Sequence, residues 1–158
     1  IGIQPLIRNM VQIETDPPSS PEMPLVVGLD GSFYFKPESG GSYWLSPHDE
    51  IPSEPGDAAP DELSVAIAID RFEKVMDVEV KRVSRKWAGL RSFAPDRLPV
   101  IGFDSAIPDF FWFAGQGGFG IQTSPAAAKL AGSLLGGSPL DKDLCAVDAA
   151  LYAASRFT

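Results

Sequence analysis

The chain has 158 residues, 44% hydrophobic and 22% charged, a composition that supports one globular core and argues against disorder. Its 13 basic and 21 acidic residues leave a net charge of -8, which makes a phosphate backbone a poor partner and excludes nucleic acid. One cysteine, Cys145, rules out a disulfide framework and a multi-cysteine metal site, and no apolar run approaches the ~20 residues of a membrane helix. These features favour a reducing, cytoplasmic setting, with no metal and no membrane span expected.

The chain opens on Ile1 inside a strand-like run, without Met and without a charged and apolar leader. That fits a trimmed terminus or a piece of a longer polypeptide. Residues 4–14 predict a strand. Residues 16–24 are proline-rich and read as a loop. The stretch "LVVGLDGSFYFKPESGGSYWLSP" holds two β-branched and aromatic runs, with turn chemistry at Asp30–Gly31 and over Pro37–Gly41. It predicts a meander of short antiparallel strands. Residues 47–60 are rich in Pro, Asp and Glu and read as an exposed loop. The only histidine, His48, falls in it as a solvated residue.

At Pro60 the period changes. Val65, Ile69, Phe72 and Met76 recur at helical spacing, with Asp61 and Glu62 in the first turn, where the helix dipole favours acid. "DVEVKRVSRKWAGLRSF" alternates with period two and predicts a long strand. "LPVIGF" and "FFWFA" predict two short strands around a turn at Ile107–Pro108–Asp109. A second helix is expected from about Thr123 to Leu135, with Ser124–Pro125 as N-cap and first helical position and Gly136–Gly137 as the stop. The tail "LCAVDAALYAASRFT" predicts another helix. Strands dominate the first part and a strand–loop–helix unit follows, so the class is α+β rather than an alternating βαβ chain.

Between the last strand and the second helix stands "GQGGFG", Gly115 to Gly120, which fits the dinucleotide fingerprint G-x-G-x-x-G letter for letter. That fingerprint also needs a second parallel strand ending in an acidic residue about 20 positions on. Asp141 and Asp143 stand at that distance, but "GGSPLD" and the tail contain no strand. The fingerprint fails on its decisive requirement. Two readings remain. One is a tight structural turn joining strand to helix. The other is a loop whose glycines let backbone approach a flat ligand. It would feed a helix whose first turn, near Gln122–Ser124, aims free N–H groups at that ligand. A flavin ring suits the second, because its reduced form is negative around N1 and the C2 carbonyl.

The segment "WAGLRSFAPDRLPVIGFDSAIPDFFWFAGQGGFGIQTSPAAAKLAGSLLGG" resembles the C-terminal part of the FAD-dependent D-amino acid oxidase and dehydrogenase superfamily. That group includes glycine oxidase, sarcosine oxidase and the D-amino acid dehydrogenases. The resemblance rests on G-x-R, then P-x-I/V-G, an apolar strand, G-x-G-G-x-G and a helix. "FYFKP" and "WAGLRSF" are most similar to D-arginine dehydrogenase-like members. The resemblance implies an antiparallel substrate-binding sheet over residues 1–88. From 89 to 158 it implies the C-terminal strand–loop–helix segment of an FAD-binding α/β domain, with the N-terminal FAD-binding half absent. The FAD would be non-covalent. Sarcosine oxidase-like members attach flavin through a cysteine just after the G-x-R strand, where this chain has Ser92 and Phe93.

The resemblance also implies residue roles. Arg91 matches the arginine that binds the substrate carboxylate, a task suited to a planar, permanently charged fork; the alternative is a surface salt bridge. Arg8 matches a second arginine near the pocket, or is an outward-facing strand residue. Tyr34 matches a tyrosine donating to the carboxylate, or is a core tyrosine satisfied by backbone. Gly89 would offer its carbonyl to the substrate amine, or is a plain strand bend. Gly117, Gly118, Phe119, Gly120, Ile121, Gln122 and Thr123 match the loop and helix start over the flavin pyrimidine edge, with Gly118 and Gln122 also facing substrate. Trp44, Trp87 and Trp112 read as core or interface aromatics. The implied reaction oxidises the CH–NH2 or CH–NH bond of an amino acid, with D-amino acids expected. Hydride passes to flavin N5, giving an imino acid and then a 2-oxo acid and ammonia, and no general base is visible. Two readings compete: a non-catalytic fragment or partner chain that needs a separate FAD-binding half, and a small-ligand-binding domain.

Overall fold

Alternation in "LIRNMVQIET" builds the first part of the fold. In the computed structural model, which describes residues 1–157, strand β1 (Gln4–Asp16) runs through the centre of a sheet. The sheet adds β2 (Val26–Val27), β3 (Tyr34–Glu38), β4 (Ser42–Ser46) and β5 (Ile51–Pro52) in the order β2-β3-β4-β1-β5. The long strand β6 (Glu79–Phe93) also pairs with β1. The α+β class holds, with antiparallel pairing between β1 and β4, β1 and β5, β2 and β3, and β3 and β4. The chain divides into two compact units: Leu6–Leu90, and Arg91 to the C-terminus together with Ile1–Pro5.

In the first unit the register sets Val11 opposite Leu45 and Leu45 opposite Phe35, with Ile13 opposite Tyr43. Directly opposed residues share a face, so these five form one apolar layer. Helix α1 (Glu62–Glu73) covers it with Val65, Ala68 and Phe72. The Phe72 ring meets Phe35 edge-on at 4.9 Å and Tyr43 at 5.0 Å. Asp61 caps the helix by accepting from the Ser64 amide at 2.8 Å. The opposite face carries Met10, Gln12, Tyr34, Lys36 and Trp44.

The segment 47–60 is the expected exposed loop over residues 53–60, but its first part is not free. Two of its residues, Ile51 and Pro52, pair with Ile7 and Leu6, and a buried side chain fastens its two ends. Asn9 is fully buried. Its amide and Nδ2 donate to the Asp49 carboxylate, and its Oδ1 accepts from the Asp61 amide at 2.9 Å. A proline- and acid-rich composition concealed a strap held by a polar knot.

In the second unit β7 (Val100–Phe103) and β8 (Phe111–Ala114) form an antiparallel ribbon, with Val100 opposite Ala114. Helix α2 (Gly120–Gly136) begins three residues before the expected Thr123. Ser124–Pro125 is therefore not the cap but lies within the helix. Pro125 has no N–H for the Ile121 carbonyl, and the Ser124 hydroxyl donates to that carbonyl instead, at 2.9 Å. Gly137, at φ 61°, ends the helix, with Ser138 N–H on Ser133 O.

The tail is not the predicted helix. It folds as three 3-10 turns, Lys142–Leu144, Ala149–Tyr152 and Ala154–Phe157. Asp141 and Asp148 each accept a bond two residues on and so start separate turns. Leu144, Val147 and Tyr152 pack with Ile101 and Leu130, and this packing overrides the local helix preference. Arg156 fastens the last turn. It donates to both oxygens of Asp96 at 2.6 and 3.1 Å and to the carbonyls of Leu98 and Pro99. The bond from Arg156 holds the Asp96 carboxyl below the usual aspartate range. Stability from a depressed carboxyl is present above its ordinary range and is lost as pH falls through the native value. Amide exchange in Ala154–Phe157, corrected for its intrinsic rate, should therefore rise on acidification. Asp96→Asn should abolish that step, and a step that survives the substitution would reject the assignment.

Candidate functional site

Strand alternation explains which side chains the first unit offers. On the sheet face opposite α1, the Tyr34 hydroxyl lies 3.2 Å from the Met10 sulfur. Thioether sulfur is a weak acceptor, so the hydroxyl proton remains available to a better one, and backbone does not claim it. The Tyr34 ring is half-buried and meets the His48 ring edge-on at 5.5 Å. His48 is thus no solvated loop residue. Its backbone sits at φ 53°, and its Nδ1 bonds the Gly31 carbonyl. Farther along the same face Lys36 stands over the Trp44 ring, which touches Trp87.

Arg8 is buried, and its charge is already matched. Nε donates to the Asp49 carbonyl at 2.7 Å and Nη2 to the Glu50 carboxylate at 3.1 Å. Its visible work is to hold the 49–52 strap against β1. Gly89 is exposed, and a Cβ built there would meet nothing within 4 Å. Packing within this chain gives no reason for a glycine at that position.

Arg91 differs from Arg8. It is half-buried, yet among the described residues it has no hydrogen bond, ion pair or ring contact. Its strand end is tied to the glycine loop. Gly117 N–H donates to Ser92 O at 2.9 Å, and Phe93 bridges Gln116. Two loop glycines make room for this strand. A Cβ on Gly117, at φ 53°, would run into the Phe93 ring, 2.8 Å from Cδ1. One on Gly118 would lie 2.5 Å from Arg91 Nη1. The resemblance assigned these glycines to a ligand, but part of the demand for them comes from the chain itself, as the tight-turn reading holds.

The helix start fits an electron-rich group. The first intrahelical bond of α2 runs from Thr123 N–H to Phe119 O at 3.0 Å. The amides of Gly120, Ile121 and Gln122 precede it, and Phe119 supplies no side-chain cap. No acid stands in the first turn. Phe119, Ile121 and Gln122 are exposed, and Gln116 Nε2 in the adjacent loop is buried without a partner. This donor set suits the N1 and C2 carbonyl edge of a flavin. An apolar cleft of about 260 Å³ in the second unit adjoins this helix start, lined by Phe119 and Thr123 and by Ile101, Leu130 and Tyr152 among others. Among the described residues no His, Cys, Asp and Glu group could hold a metal, and no helix is long and apolar enough to cross a membrane.

The family described as DAO, FAD dependent oxidoreductase, matches residues 2–134. L-proline dehydrogenase from P. horikoshii superposes with a TM-score of 0.79 at 23% identity, over 99% of this chain and 41% of that one. Glycine oxidase from Geobacillus kaustophilus gives 0.75 at 20%, over 98% and 39%. L-amino acid deaminase from Proteus vulgaris gives 0.74 at 15%, over 99% and 47%. Identities this low establish a shared fold, and the chain spans less than half the length of these proteins. The glycine loop, the uncapped helix start and the family match agree: the chain belongs to the DAO family of FAD-dependent oxidoreductases.

Proposed function

We propose that this chain is the C-terminal part of an enzyme that oxidises the CH–NH2 or CH–NH bond of amino acids, with D-amino acids as the preferred class. The observation that carries the reading is Arg91, a half-buried guanidinium with no counter-ion among the described residues, fixed beside the glycine loop. Burying a cation without a partner is costly. A substrate carboxylate would supply the missing charge in a two-point grip. In the other unit, the resemblance gives Tyr34 a hydroxyl for a carboxylate and Gly89 a carbonyl for an amine. Arg8 would have to exchange Glu50 for a substrate group, so it ranks behind Arg91.

The amides of Gly120, Ile121 and Gln122, with the loop from Gly117, would hold the pyrimidine edge of FAD, and Thr123 would close that turn. FAD, when bound, would supply the acceptor for the hydride from Cα as the amine loses a proton; hydrolysis of the imino acid would then give a 2-oxo acid and ammonia from a CH–NH2 substrate, or the free amine from a CH–NH one. Holding the carboxylate fixes where Cα sits, which is a contribution of position rather than of acid–base chemistry.

A second reading follows from length. The solved relatives named above carry more than half their chain outside the region matched here. We propose that a separate FAD-binding half completes the site and that the reaction needs both. Adding FAD to the purified 158-residue chain and recording the flavin spectrum should give no saturable complex, and supplying the other half should restore it. A saturable yellow complex with the chain alone would overturn the dependence on a second half. A small-ligand-binding domain remains the reading left if the two parts together neither hold flavin nor turn over amino acids.

A further inference from the structure

We propose that Gly118 is a positioning residue for Arg91: the bare Cα of the glycine loop is the surface against which the guanidinium is set. The inference rests on the reading of Arg91 as the carboxylate anchor. Three distances carry it. A Cβ on Gly118 would lie 2.5 Å from Nη1, 3.4 Å from Cζ and 3.9 Å from Cδ of Arg91. The tip and the end of the stem therefore both lie along this glycine.

An arginine is usually oriented by the groups it bonds. Arg91 has none among the described residues, and a long side chain without polar partners spreads over several rotamers. Its direction must come from the surfaces that confine it. The loop cannot slide away from it, because Gly117 N–H on Ser92 O and the Phe93–Gln116 bridge pin the loop to the residues just after Arg91. A methyl group added at position 118 is therefore taken up by the guanidinium, which has to leave its place.

Gly118 is also a clean position to test. Its φ lies outside the left-handed range, so alanine adopts the backbone without strain. Gly117 is not clean, since its φ is 53° and its obstacle is the ring of Phe93, only 5% exposed.

The test uses the flavin-loaded enzyme and four proteins: the parent, Gly118→Ala, Arg91→Ala and the double variant. KM and kcat for an amino acid are measured, with the Kd of benzoate as a carboxylate probe read from the flavin spectrum. Misplacing a positioned group by about 1 Å costs up to about 100-fold. Gly118→Ala, measured on its flavin-loaded fraction, should raise KM and the benzoate Kd about 10- to 100-fold, and should add nothing in the Arg91→Ala background. Effects that multiply in the double variant would show that Gly118 acts independently of Arg91 and overturn the proposal. So would an unchanged KM in Gly118→Ala when Arg91→Ala raises it. If Arg91→Ala itself moves neither constant, the anchor reading falls and takes this inference with it, which distinguishes the two failures. A readout that needs no turnover uses the 158-residue chain. The Arg91 Nε–Hε NMR signal should shift in Gly118→Ala while those of Arg71 and Arg156 stay in place, and an unmoved Arg91 signal counts against the proposal.

Discussion

Replacing Arg91 with alanine in the flavin-loaded enzyme should raise KM for the amino acid by roughly 30-fold to a few thousandfold. The range is the measured cost of removing one member of a buried, hydrogen-bonded charge pair, about 2–5 kcal/mol. The loss should depend on the carboxylate. The corresponding amine, which lacks that group, should be oxidised by parent and variant with similar kcat/KM. Arg91→Lys should fall between them, since an ammonium keeps the charge but not the planar fork. Equal losses for amino acid and amine would mean that Arg91 supports the fold and not the substrate. Arg8→Ala should have a different signature. Its bonds go to Asp49 and Glu50, so loosening of the 49–52 strap should accompany any change in kinetics.

The second large effect concerns stability. Phe72 is 1% exposed and closes the space between α1 and the ring pair Phe35 and Tyr43. Truncating a buried phenylalanine to alanine costs about 3–5 kcal/mol, as lost transfer energy plus an unfilled cavity. In a unit of this size each kcal/mol moves Tm by about 4–8 °C, so Phe72→Ala should lower the melting temperature by more than about 12 °C. Phe72→Leu should retain most of the stability by keeping the site apolar and nearly filled. Thermal unfolding followed by circular dichroism measures both. A drop of only a few degrees for the alanine variant would mean that α1 does not seal this sheet.

The elements that were legible in the sequence are those whose burial obeys one period over many residues. β1 alternates over most of its 13 residues, and α1 places Val65, Ala68 and Phe72 on one face, whereas β6 is exposed from Lys81 to Lys86 and was legible from its residue types rather than from a burial period. The missed elements are short or locally ambiguous. β5 is two residues inside an acidic, proline-rich segment, and its existence depends on Leu6 and Ile7, more than forty positions away. The start of α2 was hidden because Ser124–Pro125 is a good cap by composition, while the true N-cap, Phe119, carries no capping side chain. The tail has helical composition, but its two aspartates restart the turn each time.

The candidate site was assigned through resemblance rather than pattern. What separates Arg8 from Arg91 is which carboxylates stand beside each, and neighbours that distant in sequence leave no periodic trace. His48 gave no signal, because a positive φ and a ring on Tyr34 are properties of the folded chain. The glycine loop carried the opposite hazard. Its letters matched a nucleotide motif, yet two of its glycines answer to Phe93 and Arg91.

Asn9 has a consequence for how the first unit comes apart. Its bonds reach across 40 residues to Asp49 and 52 residues to Asp61. The strap and the first turn of α1 thus depend on one side chain, and releasing either exposes polar groups that the other had satisfied. Opening the segment 47–60 and fraying the helix become a single event with a single free energy. By composition this stretch would be the first place a protease cuts. Asn9 fastens only the two ends of the stretch, at Asp49 and Asp61, and leaves the mostly exposed residues 53–60 between them open to cleavage.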